Sequence, residues 1–235
     1  MALARRKVDG VTGMLSRIHN HRSKGQWDVN RVFLLSPANP NGARARMVIN
    51  ERAEFELAMR LRLEGAPLGE VFGFISGLYF RGKAAYSRAF AAPPPGVAGS
   101  LVITAGRGLL PQETLIRFAD LLEIAAVPID LSEPRYREPL ERDALRLYQT
   151  LSPDCEIVLL GSIATPKYLE PLLDIFGSRL LFPSEFVGRG DMSRGGLMVR
   201  CAREGVELNY IPAYNAVRRG RRPPKLPKPP KLKRT

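Results

Sequence analysis

Short apolar runs recur along this chain with room for a helix between most neighbours, and that alternation restricts the fold more than any single motif does. Val32-Phe33-Leu34-Leu35 is closed by Pro37, residues 101–104 and 156–160 are similarly apolar, and weaker runs stand at 71–75, 127–129, 179–182 and 207–211. Short apolar runs bounded by turn formers suit strands that are buried on both faces. Helical patterns fall between them at 51–63, 112–124, 137–151, 167–176 and 193–203. In the first of these, Phe55, Ala58, Met59 and Arg62 alternate with charged positions. A further segment from Ser76 through Tyr86 leads into a helix that stops before Pro93-Pro94-Pro95. Gly65 with Pro67, then Gly177 and Gly205, supply stop signals. The reading is an α/β fold, a mostly parallel open sheet with helices on both faces. Ligands of such sheets bind beyond the carboxyl ends of the strands, where loops 37–42, 105–109, 161–165 and 184–194 are expected to converge.

Charge divides the chain into three parts. Of 235 residues, 36 are Lys or Arg and 23 are Asp or Glu, for a net charge of +13. Residues 1–31 hold seven cations and two acids, and residues 218–235 hold nine cations and no acid, which leaves 20 cations and 21 acids in between. We therefore expect a basic N-terminal arm over 1–30, one α/β domain over 31–217, and a disordered Pro/Lys/Arg-rich tail over 218–235. Basic extensions suit phosphate backbones or acidic partners, whereas a neutral core argues against binding nucleic acid over the whole surface. No long apolar run or secretory signal appears, so the expected location is cytoplasmic, without a membrane partner. Cys155 and Cys201 sit in apolar surroundings and read as reduced core thiols.

The strongest candidate for a site is Gly188-Arg189-Gly190-Asp191-Met192-Ser193-Arg194-Gly195-Gly196, at the start of a helix. Unpaired N–H groups at a helix start attract anions, glycine permits close approach, and arginine adds a bidentate donor. Here Arg189 and Arg194 are the expected anion ligands, Gly188, Gly190 and Gly195 give access, and Asp191 caps the helix or orients a donor. The same residues also make an ordinary tight turn with an N-cap. The segment is neither a P-loop nor a dinucleotide fingerprint. A second glycine-arginine turn, Ala105-Gly106-Arg107-Gly108, follows another strand and could join it or be a plain strand-to-helix loop. Tyr79, Arg81, Lys83 and Tyr86 mix aromatic and basic side chains, as a surface that stacks bases and contacts phosphates does. An amphipathic helix that buries both tyrosines has the same pattern. Asn39 and Asn41 are read as turn residues.

No cofactor or metal is implied. His19 and His21 have no neighbouring third ligand, and with two histidines in all a Ser-His-Asp mechanism has little support. Asp191 and Glu185 flank the glycine-rich turn, so the enzymatic role the sequence offers is a carboxylate acting as nucleophile or base, and either could pair with arginine instead.

Several segments, in order, resemble the YaaA-type peroxide-stress proteins of bacteria. They are Leu34-Leu35-Ser36-Pro37-Ala38, Gly77-Leu78-Tyr79-Phe80-Arg81-Gly82, Thr104-Ala105-Gly106-Arg107-Gly108-Leu109-Leu110, Gly161-Ser162-Ile163-Ala164-Thr165-Pro166-Lys167-Tyr168, and Arg194-Gly195-Gly196-Leu197-Met198-Val199-Arg200. The chain departs from that pattern at Asn39, where the family has lysine, and at Lys167, where it has an acid. The resemblance implies an α/β fold with a shared cleft and affinity for duplex DNA in a stress or DNA-maintenance setting.

The leading expectation is a nucleic-acid-binding protein, most readily a DNA binder, with Arg81, Lys83, Arg107, Arg189 and Arg194 around one cleft. A phosphorylated small molecule is the other expected ligand. The first alternative is an enzyme of glycosidic-bond transfer or hydrolysis on nucleotides or nucleosides, with Asp191 or Glu185 as the carboxylate. The second is an assembly protein that docks through its basic tail. Oligomeric state is left open.

Overall fold

The computed structural model describes residues 29–217 and 220–224, so His19, His21, nearly all of the N-terminal arm and most of the tail lie outside the described residues. The chain begins with β1 (Arg31–Leu35), a strand with every residue buried. It continues through α1 (Ala43–Val48), α2 (Glu56–Leu63), β2 (Ala66–Pro67), α3 (Leu68–Ser76) and α4 (Leu78–Phe90) to β3 (Ser100–Thr104). Then follow β4 (Gly108–Pro111), β5 (Leu115–Ile116), α5 (Phe118–Ala125), α6 (Pro134–Thr150), β6 (Glu156–Leu160), α7 (Pro166–Phe176), β7 (Leu180–Pro183), α8 (Asp191–Glu204) and β8 (Tyr210–Pro212).

Six strands form one sheet in the order β4-β3-β1-β6-β7-β8. The four inner strands are parallel, and β4 and β8 are antiparallel edges. β2 and β5 make a separate small antiparallel pair. The expected α/β class with a mostly parallel sheet is therefore present. Leu35 lies opposite Val102 on one side and Leu160 on the other, so β1 is central and its end is flanked by two parallel neighbours. From β1 the chain crosses to β3, then returns past β1 to β6 and β7. By the right-handed crossover rule, opposite directions of travel put the connecting helices on opposite faces. The packing fits this, since α4 lies against α3 and α8, and α6 against α7. The strand order reverses between β1 and β6, the point at which open α/β sheets leave a crevice.

Five local expectations need correction. Residues 71–75 are helical within α3, not a strand. The five residues Val71-Phe72-Gly73-Phe74-Ile75 are apolar throughout and alone show no period to separate helix from strand, whereas the buried set Leu68, Val71, Phe72 and Ile75 falls at helical spacing once the run is extended back to Leu68. The turn at Ala105-Gly106-Arg107-Gly108 is a β-hairpin into β4 and not a strand-to-helix loop, with positive φ at Gly106 and Gly108. Residues 127–129 form no strand, and 112–124 divides into β5 and the shorter α5. The helix expected over 51–63 begins only at Glu56 and buries Leu57, Ala58 and Leu61, leaving Met59 exposed. Cys155 and Cys201 are buried and unpaired. No helix among the described residues is long and apolar enough to cross a membrane.

The crossing of α4 and α8 is the tightest helix contact and rests on glycine. A Cβ on Gly195 would stand 2.7 Å from the Leu78 carbonyl oxygen, and one on Gly82 would stand 2.6 Å from the Gly195 carbonyl oxygen. Both clashes are with backbone, which cannot rotate aside. Gly195→Ala is expected to cost about 1–3 kcal/mol in urea denaturation. Gly190→Ser, where an added Cβ meets nothing within 4 Å, is expected to stay within about 0.5 kcal/mol of the parent or gain from a better N-cap.

Candidate functional site

The site is built at the ends of β1 and β6. The Ser36 N–H donates to the Leu160 carbonyl at 3.1 Å, continuing the ladder by one residue before Pro37 turns the chain away. Gly161 lets β6 pass close by, since a Cβ there would lie 2.8 Å from Ser36 Cβ and 3.2 Å from the Tyr168 hydroxyl. Ser36 is thereby held between two strand ends, only 4% exposed, at the floor of a cleft of about 500 Å³.

Lys83 reaches Ser36 from below. On α4, Tyr79, Lys83, Ser87 and Phe90 repeat at near-helical spacing and are all buried. The Lys83 Nζ donates to the Ser36 carbonyl at 2.6 Å and to the Ser36 Oγ at 2.9 Å. The rings of Tyr79 and Phe80 lie 4.5 and 4.7 Å from Nζ. Lys83 has no exposed surface and no carboxylate bonded to it. Burial therefore dominates and lowers its pKa from 10.5 to about 7, against a smaller opposing pull from Asp191.

Two tyrosines complete the floor. The Tyr168 hydroxyl accepts the Ser162 N–H at 2.9 Å and neighbours the Ser36 side chain. The Tyr79 hydroxyl is buried without a hydrogen bond of normal geometry, and burial raises its pKa while the nearby Arg194 guanidinium partly offsets the rise. A buried hydroxyl without a partner is uncommon, because leaving one unpaired costs about 1–3 kcal/mol. Val127, Pro128 and Ile129 form an apolar wall. Thr165 and Lys167 bring the start of α7 to the cleft, and Asp191 brings the start of α8. Neither helix start has a side-chain cap, so each offers uncapped backbone donors.

The expected site residues divide between this cleft and other places. Tyr79 and Asp191 line it, with Lys83 and Arg194 directly behind. Arg194 is 9% exposed, donates to the Phe186 carbonyl at 3.2 Å and lies 3.6 Å from Asp191. Arg81 is exposed on α4, outside the cleft lining. Arg107 is paired to Asp120 at 2.6 Å and Glu123 at 2.5 Å. Arg189 bonds the Glu185 carbonyl at 2.9 Å and borders a separate depression of about 290 Å³ with Gly190 and Arg222. Glu185 accepts both the backbone and side-chain N–H groups of Asn209, at 3.1 and 2.8 Å. Gly188 has φ +71 and is packed on the Arg221 carbonyl, while Gly195 serves the helix crossing.

The shared cleft of Arg107, Arg189 and Arg194 is therefore not formed. The aromatic-basic surface on α4 is corrected too: Tyr79 and Tyr86 point inward, and Lys83 is in the core instead of on the surface. Tyr86 is consumed by the Tyr210 hydroxyl at 2.7 Å and the Leu208 N–H at 2.8 Å. Sequence reasoning passed over Ser36, Ser162 and Tyr168 as site residues. The usable signal for the first was a serine placed between a buried strand and a proline.

Among the described residues, no cluster of three or more His, Cys, Asp or Glu side chains is arranged to hold a metal. The chain matches no family model, and no curated protein or solved structure is significantly similar to it.

The buried lysine makes stability depend on pH. Above about pH 7 the native lysine is neutral, while the unfolded chain keeps its proton up to 10.5. The unfolded state then binds the extra proton, so Lys83 makes stability rise with pH across that window. Chemical denaturation at pH 7, 8 and 9 should show this rise, with Lys83→Met lacking a contribution of about 1.4 kcal/mol per pH unit.

Proposed function

We propose that this protein binds nucleic acid through its basic ends and receives one nucleotide or nucleoside unit in the cleft between the ends of β1 and β6. The observation that carries this reading is the cleft itself, a volume of about 500 Å³ at the sheet's switch point, lined by Tyr79, whose hydroxyl is buried behind the lining beside Arg194. The apolar wall at Val127, Pro128 and Ile129 suits the face of a base. Lys167 and the uncapped starts of α7 and α8 suit a phosphate. All of the excess positive charge lies in residues 1–31 and 218–235, where it supplies affinity that does not depend on base sequence. The resemblance to YaaA-type proteins points in the same direction, and a cytoplasmic setting goes with it.

An enzymatic role on nucleotides or nucleosides is the second reading, favoured by the contrast between the two candidate acids. Glu185 is occupied by Asn209, whereas the Asp191 side chain is 65% exposed at the cleft with only a 3.6 Å contact to Arg194. Asp191 alone would then supply the carboxylate for glycosidic-bond chemistry. Docking through the tail concerns residues that mostly lie outside those described.

The test uses the full chain with single-stranded and duplex DNA at about 50 and 200 mM salt. Replacing the nine tail cations by Gln should weaken DNA binding and flatten its salt dependence. Lys167→Gln should change that dependence little and weaken binding of nucleoside monophosphates about tenfold. Absence of nucleotide binding, or DNA binding indifferent to the tail cations, would overturn the reading.

A further inference from the structure

The contact between Lys83 and Ser36 does more than hold a strand end. Lys83 is sealed from solvent, and Ser36 stands between it and the cleft. Ser36, 4% exposed, lines the cleft and Lys83 does not, so a ligand there meets the serine and not the amine. That arrangement does not suit a lysine that forms a covalent bond with its substrate. It suits one that exchanges a proton with the serine in front of it.

We propose that Ser36 is a nucleophile activated by Lys83, and that the cleft accepts acyl donors whose leaving group departs as an anion. As a neutral amine, Nζ keeps an N–H for the Ser36 carbonyl at 2.6 Å and turns its lone pair to Oγ, so that the 2.9 Å contact carries the serine proton toward nitrogen. Oγ attacks the acyl carbon, the Oγ–C bond forms, and the Oγ proton passes to Lys83. The bond from carbon to the leaving group then breaks, and the leaving group carries away the electron pair.

Burial of Lys83 selects the substrate class. The amine cannot reach a departing group to protonate it, so an amide, whose nitrogen must leave protonated, is a poor substrate. An aryl ester, a thioester or an acyl phosphate needs no such proton. The Tyr168 hydroxyl accepts the Ser162 N–H and is hydrogen-bonded to the Ser36 side chain, and once Oγ has attacked, the Tyr168 proton turns to the oxyanion that forms beside it. In the second half, water adds to the ester carbonyl, the C–Oγ bond breaks, and Oγ takes back the proton held by Lys83. The proton lost by the water neutralises the released anion, which closes the balance as hydrolysis of one ester bond. The proposal needs the cleft and the serine-lysine contact, and it stands whether or not nucleotides bind there.

The experiment is acylation of the full-length protein by p-nitrophenyl acetate, followed by release of p-nitrophenolate and by peptide mass spectrometry after acid quench. The expected result is an acetyl group on the peptide bearing Ser36, formed faster as pH rises and levelling off above about 7, where Lys83 is neutral. Ser36→Ala should abolish that adduct. Lys83→Met should slow it by about 10²–10⁴-fold, the range expected for loss of a positioned base. Lys83→Arg, which retains donors and charge but cannot accept the proton, should slow it similarly and serves if the methionine variant does not fold. The acetamide analogue, p-nitroacetanilide, should give no adduct. Acetylation that spares Ser36, or a rate at Ser36 that is unchanged in both Lys83 variants, would overturn the proposal. Because the readout is a covalent adduct, its failure is separate from any failure of nucleotide binding.

Discussion

A lysine with no access to water, hydrogen-bonded to the last turn of the central strand, is the constraint on which the site depends. Fully desolvating an ammonium without a bonded carboxylate is unfavourable enough to move the proton equilibrium instead of the structure. The two bonds from Lys83 to Ser36 and the two aromatic faces beside it let the amine stay where it is. In return they fix the backbone where β1 gives way to the Pro37 loop. Ser36 cannot shift without stranding a buried amine, and Lys83 cannot leave without opening the packing of α4 on the sheet.

The rest of the cleft follows from topology and from one close helix crossing. Reversal of strand order beside β1 leaves room above the ends of β1 and β6, and the loops that follow these strands line that space. Gly82 and Gly195 let α8 lie directly on α4, which brings Arg194 behind Tyr79 and Asp191 to the rim. Larger residues at that crossing would push α8 outward and take its first turn away from the cleft. The glycines around residues 188–196 thus serve two purposes: Gly188 turns the chain, and Gly195 admits a helix.

Much of the sheet was legible in the sequence because its inner strands are short, apolar and bounded by turn formers. The runs at Val32-Phe33-Leu34-Leu35, 101–104 and 156–160 lie in β1, β3 and β6, and helices α6, α7 and α8 follow their periodic patterns closely. What failed did so for physical reasons. Within α3 the run 71–75 is apolar throughout, and Glu70 alone carries a charge, which is too little to reveal its period from those five residues. The hairpin at Gly106 and Gly108 uses the same residues as a strand-to-helix loop. The site was less legible than the fold, because lysine is normally a surface residue and Lys83 differs from Arg81, two positions earlier, only in the direction the helix gives it. The arginines that looked like one anion site instead made separate local contacts, Arg107 with Asp120 and Glu123 and Arg189 with the Glu185 carbonyl.

The protonation state of Lys83 decides what the serine-lysine contact can do, and it is open to direct measurement. A pH titration of the full-length protein labelled with ¹³C and ¹⁵N at lysine, with the Lys83 signal assigned by its loss in Lys83→Met, reads that state at the side chain itself. A midpoint near 7 is the predicted result and establishes an amine with a large neutral fraction at physiological pH beside the Ser36 hydroxyl. A midpoint at the ordinary lysine value of 10.5 would contradict it, because the group would then be hydrated and the sealed contact beneath the cleft would not exist in solution.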